Sequence, residues 1–303
     1  PPAPAPPEEP DTIIEDPGSG RTAWLLVLVA LLLALVSSGV TYLVARRPHS
    51  APMTAPPADG GAPIAPEQPE RPKPIERPPA APPSDFVAFG PAAMFPIGWG
   101  TDGTKRDGPA HATPIGRFAL GRHEVSIDSF KAFLDATKRP DDAIHGINVE
   151  KEGRTPVSNV KRSEAIAYCQ WKHGTWGRLP SEEEWEFAAR DGNPDKRYPW
   201  GDRFEAPRAI ALGANHGDPV AVGEGEGEGS GLFHLIGNIA EWTSSDAKPY
   251  PGSTAAGAPG KVVVRGGAAD TMDPEQLTST GRRFEAPETP HADVGFRCAI
   301  DLE

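Results

Sequence analysis

The hydrophobic pattern divides the chain abruptly. Ala23 to Ala45 reads AWLLVLVALLLALVSSGVTYLVA, 23 positions without a charge. As a helix this run is about 34 Å long, enough to cross a hydrocarbon layer of about 30 Å. Trp24 and Tyr42 stand near its two ends, where interfacial aromatics belong. A cleaved signal peptide has a shorter apolar stretch behind a basic start, whereas EEPDTIIEDP precedes this one. The pattern therefore predicts a single transmembrane helix over 23–45.

After Asp85 the apolar residues are spaced more finely. Ser126 is placed to cap a helix running to about Thr137, with Ile127, Phe130, Phe133 and Leu134 on its buried face. Ser163 is assigned as the cap of a second helix, SEAIAYCQWKHG, which stops at Gly174. In PSEEEWEFAAR, Ser181 and Glu184 form a capping box and Trp185 is the inward anchor of a third. GRFALGRHEV, PVAVG, KVVVRGG and VGFRCAI read as short strands. The sum is an α+β domain with much irregular loop.

Composition sharpens these boundaries. Twenty of the 37 prolines precede Asp85. Segment 1–22 is an acidic, Pro-rich stretch expected to be disordered, and 46–84 is a Pro-rich linker; neither can bury enough apolar surface to offset its ordering entropy. In polyproline II geometry the linker could span on the order of 100 Å. The folded domain is thus 85–303. The net charge of −12 arises mostly there, from 33 acidic against 24 basic residues, and argues against nucleic acid as a partner. Two cysteines exclude a disulfide-dense miniprotein and any four-thiolate metal site. The eight histidines show no HxH or HExxH spacing, and neither a GxSxG elbow nor a GK[ST] loop occurs. The GEGEGEGSG run, with Glu224, Glu226 and Glu228, reads as a solvated flexible loop, with cation binding the alternative.

Seven segments then occur in a telling order: GRFALGRHEVSIDSFKAFL, PVSNVKRSEAIAYCQW, GRLPSEEEWEFAAR, YPWGD, GLFHLIGNIAEWTSSD, VVRGG and GFRCAID. Together they resemble the formylglycine-generating-enzyme (sulfatase-modifying factor) family across essentially all of 85–303. The resemblance implies a variant of the C-type lectin fold.

It also implies where chemistry should sit. The namesake enzymes oxidise a substrate cysteine with two cysteines that bind copper(I), placed shortly after the Gly-Gly of VVRGG. Aligned from Gly266 and Gly267, those positions fall near Thr271 and Gln276, and no cysteine lies between Cys169 and Cys298. Hydroxyl and amide do not hold copper(I) as thiolate does, so copper is not expected and the domain reads as a pseudoenzyme of that oxidase. Iron-dependent members need an additional helical domain, which this sequence does not contain. The family's calcium loop maps to His234, Gly237, Ile239 and Glu241, with the nitrogen of His234 a departure that weakens the site. Asn215 and Asp218 map to a second, weaker calcium loop. Cys169 and Cys298 match the positions of a structural disulfide in exported members.

Orientation draws on both lines. Arg21 precedes the span and Arg46 and Arg47 follow it, which taken literally places the C-terminal domain in the cytoplasm by one arginine. The implied disulfide favours the opposite, an extracytoplasmic domain on a single-pass cell-membrane protein. The chain begins at Pro1 rather than Met and is expected to be part of a longer one. Its order of acidic segment, span, stalk and C-terminal domain resembles in layout a bacterial receptor serine/threonine kinase, with Thr12 a candidate phosphosite. The expected function is a membrane-tethered, non-catalytic domain that binds or senses a protein or small molecule. The alternatives are an enzyme with non-thiol chemistry using Asp270, Asp273, Glu275, Arg282, Arg283 or Arg297, and a scaffold for other family members.

Overall fold

In a computed structural model of the chain, the local signals around Ser126 act as their chemistry dictates. Its hydroxyl accepts the N–H of Ser129 and starts helix α1, Ile127–Thr137. Ile127, Phe130, Phe133 and Leu134 are buried, and Lys138 ends the helix in the left-handed region. Helix α2, Arg162–His173, also ends where expected, at Gly174 with φ of 69°. Its start corrects the expectation: Lys161, not Ser163, is the N-cap. The Glu164 carboxylate accepts the Lys161 N–H at 2.8 Å, so the reciprocal contact sits two residues earlier, while the Ser163 hydroxyl donates to Glu288. Helix α3, Glu182–Ala189, carries the full capping box of Ser181 and Glu184.

The structure describes residues 78–144, 149–211 and 217–303. Segment 1–22 with Thr12, the predicted span 23–45, most of the linker 46–84, and Asn215 lie outside them. Among the described residues no helix is long and apolar enough to cross a membrane. The end of the linker is tied to the domain: the Pro83 carbonyl accepts from Phe86, and those of Ala80 and Ser84 accept from Arg117 and Arg122.

Among the described residues, ten strands form three sheets. Strands β1 (Phe86–Phe89), β4 (Phe118–Gly121), β10 (Ala299–Asp301) and β5 (Gly177–Arg178) lie side by side in that order. Strands β2 (Ala92–Ile97) and β3 (His111–Ile115) make a separate ribbon. In the third sheet the order is β8 (Arg283–Glu285), β7 (Val262–Arg265), β6 (Ala240–Asp246) and β9 (Val294–Gly295). Here β6 runs antiparallel to β7 and parallel to β9, which sets Glu241 opposite both Arg265 and Gly295. GRFALGRHEV narrows to β4, because beyond Gly121 the chain leaves the ladder and Val125 donates to Phe296. PVAVG forms no strand: Val220 donates to the Asn238 side chain and Val222 to the Arg154 carbonyl, so its amides serve loops instead of a ladder.

One apolar core joins α1 and α2 to the large sheets through Phe130, Phe133, Tyr168, Trp242 and Phe296. Cys169 and Cys298 lie within it, bonded as a disulfide that ties α2 to the segment before β10. A second core packs Trp185 of α3 against Phe118, Leu120 and Leu235. The buried face of α3 therefore carries both a large aromatic and, at Glu182 and Glu186, two carboxylates that need partners.

Candidate functional site: the loop after Gly267 and the charges beneath it

Strand β7 ends at Arg265 and the chain turns through Gly266 and Gly267 at φ of 88° and 70°. A Cβ on Gly266 would stand 2.8 Å from the Leu235 carbonyl oxygen, so only glycine fits this turn. The loop that follows contains both sequence-predicted positions. Thr271 is buried, and its Oγ1 accepts the Ala268 N–H at 2.8 Å. Gln276 is half-buried, with Nε2 donating to Asp273 Oδ2 at 3.1 Å. Both side chains are thus engaged in holding their own loop, and neither is a soft ligand. The chain's two cysteines are both in the Cys169–Cys298 disulfide.

Beside this loop lies a cavity of about 370 Å³, walled by Asp273, Glu275, Gln276 and Arg282 on one side and Thr104 to Asp107 on the other. Lys105 Nζ to Glu275 and Arg282 Nη1 to the Arg106 carbonyl, both at 2.9 Å, join its two walls, and Thr280 Oγ1 donates to Asp107 at 2.9 Å beside it. Met272 stands out at 77 % exposure. Other charges picked out from the sequence are not gathered here. Asp270 is exposed, Arg283 is paired with Asp293 and Glu285, and Arg297 is fully buried elsewhere. Arg282 reaches the cavity wall but is pinned through Nε and Nη2 to Glu182, both at 2.8 Å. All three arginines are thus engaged in ion pairs with carboxylates of the fold.

Helix α3 feeds two buried charge networks. In the first, Glu182 and Glu186 receive Arg265 Nη2 at 2.9 and 3.1 Å, and Arg190 Nη1 reaches Glu186 at 2.8 Å. In the second, Trp185 Nε1 donates to Glu241 Oε2 at 2.8 Å. The Arg297 guanidinium forks onto the same carboxylate, with Nε 2.8 and 2.9 Å from its two oxygens.

The residues mapped from the family's calcium loop stand around this second network. His234, at φ of 53°, donates from Nε2 to the Glu224 carbonyl at 2.8 Å. Its Nδ1 is 3.1 Å from Asn238 Nδ2 and 3.4 Å from Glu124 Oε2. Asn238 Nδ2 donates to the other Glu124 oxygen at 2.9 Å. Burial alone would raise the Glu124 carboxyl, but His234, Arg297 and the Asn238 amide hold it below its ordinary value. Burial alone would lower His234, yet the Glu124 carboxylate and the Glu224 carbonyl bring it above its ordinary value. Gly237 and Ile239 bracket Asn238 in the same turn, and Asp218 is exposed. Among the described residues, no three His, Cys, Asp or Glu side chains are grouped as a metal would require.

Two features escaped the sequence reading. Glu124 lies in the charged RHEV stretch beyond β4, where nothing local separates it from a solvated carboxylate, yet it is buried. The Glu224–Glu228 run is not wholly solvated: Glu228 is only 4 % exposed and accepts the Leu235 N–H at 3.2 Å. Glu228 pairs through its backbone with Leu232, which is buried like Leu235.

Comparisons with known proteins agree with this geometry. An inactive C-alpha-formylglycine-generating enzyme 2 from Mus musculus is 33 % identical over 168 residues, covering 51 % of this chain and 52 % of that protein. The chain thus spans about half the length of that curated relative. The serine/threonine-protein kinase Pkn1 of Chlamydia trachomatis is 26 % identical over 228 residues, covering 67 % of this chain and 36 % of the kinase. Among solved structures, PvdO from Pseudomonas aeruginosa superposes with a TM-score of 0.59 at 25 % identity, covering 75 % of this chain and all of that one. The model of the sulfatase-modifying factor enzyme 1-like domain matches residues 77–302, and the chain belongs to that family.

Proposed function

We propose that the domain is a non-catalytic member of its family that recognises a protein or small-molecule ligand, held on a Pro-rich stalk above a single membrane span. The observation that carries this reading is the loop after Gly267. Thr271 and Gln276 stand near the positions where the oxidases place their copper-binding cysteines, and both are engaged in hydrogen bonds within that loop. The mouse relative, whose name calls it inactive, supports the same reading. The cavity of about 370 Å³ beside the loop is the face on which a ligand would sit.

The similarity to Pkn1 supports the further proposal that such a domain serves as the sensor part of a larger signalling protein. With Cys169 and Cys298 bonded, the domain suits an oxidising, extracytoplasmic compartment. The decisive assay offers a cysteine-containing sulfatase peptide to the purified domain with copper and oxygen. No formylglycine is expected; turnover above the peptide-only control overturns the proposal.

A further inference from the structure

The calcium implied by the family can be tested against the donor set itself. Calcium takes about six to eight hard oxygen ligands, carboxylates foremost. The mapped set offers two side chains, at His234 and Glu241, and two backbone carbonyls, at Gly237 and Ile239. The first side chain presents no oxygen. Its Nε2 must carry a proton, because the Glu224 carbonyl 2.8 Å away can only accept. Its Nδ1 faces the Asn238 amide at 3.1 Å, so both ring nitrogens have partners.

The second side chain is no freer. Glu241 Oε1 receives Arg297 Nε at 2.8 Å and stands 2.7 Å from Nη2 as an ion pair. Oε2 receives Arg297 Nε at 2.9 Å and Trp185 Nε1 at 2.8 Å. Its charge is already balanced by a guanidinium 0 % exposed, itself anchored on the carbonyls of Gly121, Arg122 and Phe233. A cation there would face a fixed positive charge, on a carboxylate already held by that guanidinium and by the Trp185 indole. The residues present do not fit calcium.

What the metal would do structurally is nevertheless done. His234 ties the Glu224 segment to the turn around Asn238, and Glu124 ties that turn to the chain leaving β4. We infer that the His234 imidazole, with Glu124 and Asn238, replaces calcium as the staple of this loop, so that the domain folds and stays folded without the metal. The replacement exchanges a dissociable ion for a hydrogen-bond network encoded in the chain. Its stability would then be indifferent to extracellular calcium.

The test uses the full chain, purified in detergent. Isothermal titration calorimetry with calcium chloride and thermal unfolding in calcium or in EDTA are measured on the native sequence. The expected result is no saturable heat and the same Tm in both buffers. A saturable calcium isotherm, or a Tm that rises with calcium, overturns the inference. His234→Ala should lower Tm by roughly 3–8 °C in both buffers alike. His234→Gln, whose amide can still donate to the Glu224 carbonyl, should recover part of that loss. If both variants melt with the native protein, His234 is no staple and the inference fails.

Discussion

Arg282 grips Glu182 at two points, Nε to Oε2 and Nη2 to Oε1, both at 2.8 Å, in a pair almost wholly shielded from water. Glu182 also receives Arg265 and the Tyr250 hydroxyl, so one carboxylate joins α3, β7 and the chain just beyond the altered loop. Breaking a buried pair by deleting one partner leaves the other charge without compensation. Glu182→Ala should therefore destabilise the domain by about 3–5 kcal/mol in urea denaturation. Glu275→Ala removes a pair that is largely exposed on both sides and should cost far less. Equal effects from the two substitutions would show that the buried network does not organise this region.

The disulfide makes a second prediction. Cys169 and Cys298 close a loop with a sequence separation of 129 residues. In the chain-entropy model a loop of that size contributes on the order of 5 kcal/mol, through restriction of the unfolded chain. Reduction, or Cys169→Ala with Cys298→Ala, should lower the urea midpoint without changing the fold. Maleimide labelling of the denatured, unreduced protein should find no free thiol, and two labels per chain after reduction. Two labels before reduction would remove both the staple and the argument for an oxidising compartment.

How much of this was legible in the sequence depended on distance along the chain. The capping box of Ser181 and Glu184 spans four residues, and its chemistry is complete within that window. The buried face of α1 is legible for the same reason, since apolar spacing reports directly on one side of a helix. At α2 an equally local signal was misassigned, because Ser163 and Glu164 are neighbours and only the fold decides which one reaches back. PVAVG failed differently. Its apolar residues suit a strand, but the acceptors for its amides come from Arg154 and Asn238, which no window around it contains. The site shows the sharpest split. His234 and Glu241 could be mapped through the family's segment order, whereas Glu124 lies 110 residues from His234 and becomes a partner only through tertiary packing.

Glu228 provides the third prediction, in pH. Burial pushes its carboxyl up to about 7 from an ordinary 4.5, against the attraction of the Leu235 N–H and of Arg297. Between those two values the folded chain holds a proton that the unfolded chain has released. Stability then falls as pH rises through that window, since it falls wherever the folded state binds more protons. The loss from this one group is on the order of 3 kcal/mol at most, complete above the folded pKa. Glu228→Gln keeps an acceptor for Leu235 and removes the titration. Urea unfolding of both proteins from about pH 5 to pH 8 should show the native sequence weakening relative to the variant as pH rises. His234 titrates in both proteins, so its contribution largely cancels in the difference. Parallel curves would mean that water reaches the Glu228 carboxyl, and that the loop over it opens more readily than its buried position implies.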